Sequence, residues 1–173
     1  MSIENIKSSI RNIPDFPKKG INFKDITPVL QDSDLLKDSI DILAEKCISW
    51  KPDFLCGIES RGFIFGSALA YKLDIGFVPV RKPGKLPYDT YKINYDLEYG
   101  SNSLEIHKDS FFSGAKVVIV DDLLATGGTA KASVELVKMC KAEIAGILFL
   151  VELSFLEGRR GLSSYPIESI IKY

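Results

Sequence analysis

The sequence predicts a doubly wound α/β domain, a parallel sheet with helices on both faces. Three observations carry that expectation. From Pro52 onward, short apolar runs alternate with helical patterns. One run, Lys116–Val120 (K-V-V-I-V), is rich in β-branched residues, as strands in the middle of parallel sheets are. The chain of 173 residues is long enough for one sizeable core, so residues 1–173 are read as a single domain.

The elements follow in order. Ile3, Ile6, Ile10 and Ile13 have the spacing of a short amphipathic helix that stops at Pro14. Residues 15–28 (D-F-P-K-K-G-I-N-F-K-D-I-T-P) are broken by proline and glycine, and read as an irregular segment with buried anchors at Phe16, Ile21, Phe23 and Ile26. Leu36, Ile40, Leu43, Ala44 and Cys47 share one face of a helix over Asp34–Ser49. Strands are expected at Phe54–Ile58, Phe77–Val80, Lys116–Val120, Ile144–Glu152 and Ile167–Lys172, with helices at Gly62–Leu73 and Thr129–Lys141. Residues 82–108 break the rhythm, with few continuous apolar positions and four tyrosines. Insertions of that length are usually lids or disordered segments. A flexible lid is the expectation, with Tyr91–Tyr95 and Ser103–His107 as the arms of a hairpin; a rigid surface hairpin is the alternative.

Composition excludes several classes. Basic and acidic residues number 22 and 23, a formal net charge of −1, so the basic excess of a nucleic-acid binder is missing. Cys47, Cys56 and Cys140 form no C-x-x-C pair, which argues against a disulfide framework or zinc site and suits a reducing, cytoplasmic setting. His107 is the one histidine and reads as structural. The first ten residues lack a signal peptide's apolar core, and the longest apolar run, Ala145–Val151, is far below the ~20 residues that span a bilayer. No membrane association is expected.

The strongest signal is Val117–Thr129, V-V-I-V-D-D-L-L-A-T-G-G-T. It reads as a buried strand, two acids, a turn of small residues and a helix start. The first amides of a helix lack intrahelical partners and carry the positive end of its dipole. Ala125, Gly127 and Gly128 leave those amides open to a phosphate, and the hydroxyls of Thr126 and Thr129 can complete the cradle. Asp121 and Asp122 then stand where they can accept hydrogen bonds from vicinal sugar hydroxyls or hold a metal through water. A ribose 5-phosphate presents that combination. Neither G-x-x-x-x-G-K-[ST] nor G-x-G-x-x-G is present.

These residues resemble the phosphoribosyl pyrophosphate motif of the type I phosphoribosyltransferases, in the form carried by the adenine-specific members. Ala125 stands where members acting on 6-oxopurines usually have an aspartate. Further similar blocks lie at residues 15–30, 57–66 (G-I-E-S-R-G-F-I-F-G), 81–87 (R-K-P-G-K-L-P), 97–109 (L-E-Y-G-S-N-S-L-E-I-H-K-D) and 151–159 (V-E-L-S-F-L-E-G-R), so the resemblance covers nearly the whole chain.

The resemblance implies the fold of that family, a mostly parallel central sheet flanked by helices with a hood, or lid, at 82–108. It implies purine salvage, in which the 5-phosphoribosyl group passes from phosphoribosyl pyrophosphate to adenine, giving AMP and pyrophosphate. Residues 1–30 become the base-binding segment. There Phe23 stacks on the purine, groups near Asn22 and Lys24 read its edge, and Leu124 closes the other face. Ser60, Arg61, Arg81, Lys82 and Lys85 surround the pyrophosphate. Glu98 is the lid's general base, grouped with Arg61 as catalytic, and Tyr99 helps seal the site. Mg2+ is implied as the cofactor, held by substrate and water with no direct protein ligand, and the assembly as a homodimer. Two departures stand out: Lys24 where many relatives have arginine, and Glu59 where aspartate is common. Rival readings are a non-catalytic regulator of the same fold, which usually adds a DNA-binding segment or lacks the lid base, and an enzyme for another 6-aminopurine or a xanthine-like base.

Overall fold

The computed structural model describes all residues except Met1, Ser2, Pro17, Glu98 and Tyr99. The chain falls into two units, Met1–Ile42 and Leu43–Tyr173.

The first unit contains helix α1 (Ile3–Ser9), strands β1 (Arg11–Pro14) and β2 (Asn22–Asp25), helix α2 (Thr27–Gln31) and the start of helix α3 (Ser33–Ile48). The helix expected to run to Pro14 ends at Ser9. A residue before proline is pushed out of helical geometry, and Ile13, before Pro14, is extended opposite Phe23 in the antiparallel β1–β2 pair. Ile6, Ile10, Ile26 and Val29 are buried. Phe16 and Ile21, expected as anchors, are instead 51% and 38% exposed. They sit in the β1–β2 connection, closed by the Phe16 N–H donating to Ile21 O at 3.3 Å. Asp25 Oδ1 accepts from the N–H and hydroxyl of Thr27, at 2.9 and 2.6 Å, and thereby starts α2.

The second unit is built on a five-stranded sheet. Its strands are β3 (Phe54–Ile58), β4 (Gly76–Val80), β7 (Lys116–Leu124), β8 (Glu143–Glu152) and β9 (Ile167–Lys172). All neighbours are parallel, in the order β4-β3-β7-β8-β9. Helices α4 (Arg61–Leu73) and α5 (Gly128–Met139) follow β3 and β7. Val117 through Val120 and Ile147 through Val151 are buried without a break, as strands covered on both faces require. Two 3-10 turns, Ser154–Leu156 and Gly158–Gly161, join β8 to β9.

Strand β7 continues four residues beyond the expected end. Asp121, Leu123 and Leu124 stay paired with β8, while pairing with β3 stops at Val120. The acids are therefore clamped along one edge only.

Strands β5 (Thr90–Leu97) and β6 (Gly100–His107) form an antiparallel hairpin in register from Thr90↔His107 to Leu97↔Gly100. It is anchored: Leu104 and Ile106 are buried, and Tyr91, Ile93 and Tyr95 pack against the core. A bridge between Arg81 and Glu105 ties it to the end of β4. Cys47, Cys56 and Cys140 are all free and buried, and burial pushes the Cys47 and Cys140 thiols up to about 12 and 11.

Candidate active site

Strands β3, β4 and β7 run side by side in one direction, so the loops after Ile58, Val80 and Leu124 emerge at the same sheet edge. From β3 the chain steps to β4 on one side and later crosses to β7 on the other. Such a reversal opens a crevice at the carboxyl ends of the strands. A cleft of about 560 Å³ lies there, lined by Ser60, Arg61, Lys82, Asp121, Asp122, Ala125 and Thr129 among the residues expected from the sequence. Adjoining it, a cavity of about 140 Å³ shares Asp121, Ala125 and Thr129 and adds Thr126, Gly127 and Gly128.

The loop between β7 and α5 has the conformation a phosphate cradle needs. Gly127 precedes the helix with φ +84°, in the left-handed region. Its carbonyl accepts the first helical bond, from the Lys131 N–H at 2.9 Å. A side chain there would also overlap the carbonyl oxygen of Gly158.

The two acids are held differently. Asp121 Oδ1 accepts the Asp122 N–H at 2.9 Å. Asp122 Oδ2 lies 2.9 Å from Arg61 Nε, yet the N–H is misdirected, so this buried oxygen has an ion-pair partner but no hydrogen bond. Burial, then the charge of Asp122, pushes the Asp121 carboxyl well above the usual carboxylate range. Burial also raises Asp122, against the pull of Arg61. Gly62 permits this closeness: a Cβ there would stand 2.7 Å from Val120 O and 2.9 Å from Asp121 Oδ1.

The basic turn after β4 is braced by carboxylates. Glu59 Oε2 accepts from Arg81 Nε at 3.2 Å and from the Lys82 N–H at 2.9 Å. Burial alone would raise Glu59, but these bonds hold it below its ordinary value. Arg81 also donates to Lys85 O at 3.1 Å, and Glu105 Oε2 accepts the Gly84 N–H at 3.1 Å. Arg81 thus braces the turn, and Lys82 lines the cleft. Lys85 is exposed and does not line the cleft.

Leu124, at 1% exposure, lines the adjoining cavity, while Leu123, one place earlier, lines both the cleft and that cavity. Asn22, Phe23 and Lys24 belong to the first unit. There the Phe23 ring meets Phe16 edge-on at 5.2 Å, and buried Lys24 donates to Asn12 Oδ1. Glu98 and Tyr99 lie outside the described residues. Sequence reasoning missed Glu59, Tyr95, Asn102, Leu104 and Leu123 as cleft residues. Tyr95 and Asn102 are direct partners in the hairpin register, and Asn102 and Leu104 share a face of β6, so the alternation of the hairpin held the signal.

The model of the phosphoribosyl transferase domain matches residues 29–164. Across 173 residues, the full length of both, the chain is 57% identical to the adenine phosphoribosyltransferase of Thermoanaerobacter pseudethanolicus. The chain belongs to the adenine phosphoribosyltransferase family. A crystal structure of the family member from Thermoanaerobacter pseudethanolicus superposes with a TM-score of 0.97 at 56% identity, covering 99% of this chain and 100% of that one. The family member from Saccharomyces cerevisiae, complexed with D-2,5-dideoxy-2,5-imino-altritol 1,6-bisphosphate and adenine, superposes at 0.90 with 41% identity over 97% of each chain. In this adenine phosphoribosyltransferase-family chain, the matched residues include every cleft residue from Glu59 to Thr129.

Proposed function

We propose that this chain is a purine-salvage transferase that moves the 5-phosphoribosyl group of phosphoribosyl pyrophosphate to adenine, forming AMP and pyrophosphate. The observation that carries the reading is the joining, in one cleft, of the Asp121–Asp122 pair, the left-handed Gly127 at the start of α5, and Arg61 from the neighbouring strand's loop. The yeast relative bound to adenine and a bisphosphate is consistent with the same pair of substrate classes.

In this reading the amides and hydroxyls of residues 125–129 hold the 5-phosphate, and Asp121 and Asp122 accept the ribose hydroxyls. Ser60, Arg61 and Lys82 face the pyrophosphate, with Arg81 and Lys85 shaping the turn that carries Lys82. Leu123 offers an apolar surface to the base, and the roles given to Asn22, Phe23 and Lys24 rest on the sequence of their segment. A purine ring nitrogen bonds to the anomeric carbon as the bond to pyrophosphate breaks, with inversion. The purine's proton passes to Glu98, whose role, like that of Tyr99 in sealing the lid, rests on the L-E-Y-G sequence.

Among the described residues, no group of three or more His, Cys, Asp or Glu is placed to hold a metal. Two neighbouring acids fit a magnesium ion that takes most of its ligands from substrate and water, with Asp121 and Asp122 reaching it through water. Bound there, the ion supplies charge neutralisation for the pyrophosphate. The proposal extends to a cytoplasmic homodimer. No helix among the described residues is long and apolar enough to cross a membrane, and α4 leaves Ile64 and Tyr71, two turns apart, exposed for a second copy.

A spectrophotometric assay with phosphoribosyl pyrophosphate, magnesium and a panel of purine bases tests the reading. Product with adenine alone is expected. Turnover of hypoxanthine or guanine in preference to adenine, or of no base, overturns it.

A further inference from the structure

One ion pair outside the cleft is built with more care than a surface contact needs. Arg159 Nε donates to both oxygens of Glu152, at 2.8 and 3.0 Å, and Nη2 donates to Glu152 Oε2 at 2.7 Å and to Ser169 Oγ at 3.2 Å. Nη1 donates to Ile167 O at 3.0 Å. Glu152 is nearly buried, and these bonds hold it below the usual carboxylate range against the opposing effect of burial. A forked pair of this kind fixes direction as well as distance.

Its neighbour, Gly158, presses on the phosphate loop. A Cβ on Gly158 would overlap Ala125 O and come within 3.0 Å of Leu124 Cδ1, while a Cβ on Gly127 would overlap Gly158 O. Two stretches of backbone therefore touch with no side chain between them. On the opposite flank, Leu153 N–H donates to Leu124 O at 2.9 Å. Glu152 ends β8 beside Leu124, so the ion pair closes residues 152–159 into a small ring that starts and finishes on the loop holding residues 124–127.

We infer that Glu152, Arg159 and Gly158 form a strut that sets the position of the phosphate loop, so the ion pair governs affinity for a sugar phosphate it never touches. The inference rests on the proposed function of that loop. Glu152 and Arg159 act as positioning residues: the guanidinium pins residue 159, residue 158 stops against residues 125 and 127, and the amides after Gly127 keep their spacing. A displacement of about 1 Å at such a site is enough to cost large factors in binding and rate.

The test uses the full chain with Arg159→Lys, Glu152→Gln and Gly158→Ala. Arg159→Lys keeps the charge and loses the fork. Gly158 lies outside the left-handed region, so Gly158→Ala strains the contacts with Ala125 O and the Leu124 side chain and removes no atom of the ion pair. Thermal unfolding identifies the folded variants, and calorimetric titration with ribose 5-phosphate reads their affinity. In the folded variants, affinity is expected to fall roughly 10- to 100-fold. The KM for phosphoribosyl pyrophosphate should rise in parallel, while the KM for adenine stays within about threefold. Folded variants that bind ribose 5-phosphate like the unmodified chain overturn the strut, because a merely structural pair lowers stability and leaves the folded site unchanged. Should Arg159→Lys and Glu152→Gln fail to fold, normal binding by Gly158→Ala overturns it alone. Failure of the unmodified chain to bind ribose 5-phosphate marks instead the failure of the proposed function, and the strut falls with it.

Discussion

Arg61 Nε stands 2.9 Å from Asp122 Oδ2, joining the loop after β3 to the last turn-free residues of β7. A cation proposed for pyrophosphate and an acid proposed for the ribose are thus paired in the cleft.

Breaking this relationship should weaken sugar binding first. Asp122→Asn removes a charged acceptor, and hydrogen bonds to charged groups contribute about 1.5–3 kcal/mol, so ribose 5-phosphate affinity should drop roughly 10- to 100-fold. Calorimetric titration measures it, and unchanged affinity removes Asp122 from the ribose site.

The raised Asp121 carboxyl makes a pH prediction with a definite sign. An acid whose folded value exceeds its unfolded value binds its proton more tightly when folded, so stability is lost as pH rises from the unfolded value toward the raised one. Asp121→Asn removes that loss and keeps an acceptor for the Asp122 N–H. The variant should melt above the unmodified chain at about pH 7, and the advantage should shrink toward about pH 4, near the unfolded carboxylate value. Parallel melting curves at both pH values contradict the prediction.

Gly62→Ala should be costly at a position with no ligand role. The added methyl would meet Val120 O and Asp121 Oδ1 at 2.7 and 2.9 Å. Overpacking of this kind costs about 1–3 kcal/mol, and each kcal/mol lowers Tm by roughly 2–4 °C in a chain of this size. Calorimetry checks the melting temperature, and an unchanged value shows that α4 can shift away from β7 freely.

Glu98→Ala should lower kcat by about 10²–10⁴-fold, the usual range for a general base, with phosphoribosyl pyrophosphate binding kept. Single-turnover rates and titration separate the two effects. Undiminished turnover assigns the proton to another group.

The strands and helices of the sheet were legible because burial on both faces leaves continuous apolar runs, as in Lys116–Val120 and Ile144–Glu152. The turn from β7 into α5 was legible because its acids, small residues and threonines are consecutive. Less local features were hidden. Ile10 and Ile13 fit a helical period, yet Pro14 and the partner strand at Asn22–Asp25 draw Ile13 into a strand, and that partner is nine residues away. Leu123 and Leu124 are identical letters, and their different burial depends on how far β7 stays paired with β8. The brace between Arg81 Nε and Glu59 was hidden as well, because the two residues stand 22 positions apart.

The one-sided pairing of β7 beyond Val120 separates two tasks within the protein. Pairing with β8 keeps Asp121, Leu123 and Leu124 in register, and the loops across the opened edge lie outside that pairing. Under the proposed function, an architecture of this kind keeps its handle on the donor while the acceptor side is rewritten, so new acceptors can be recruited by altering the bordering segments alone.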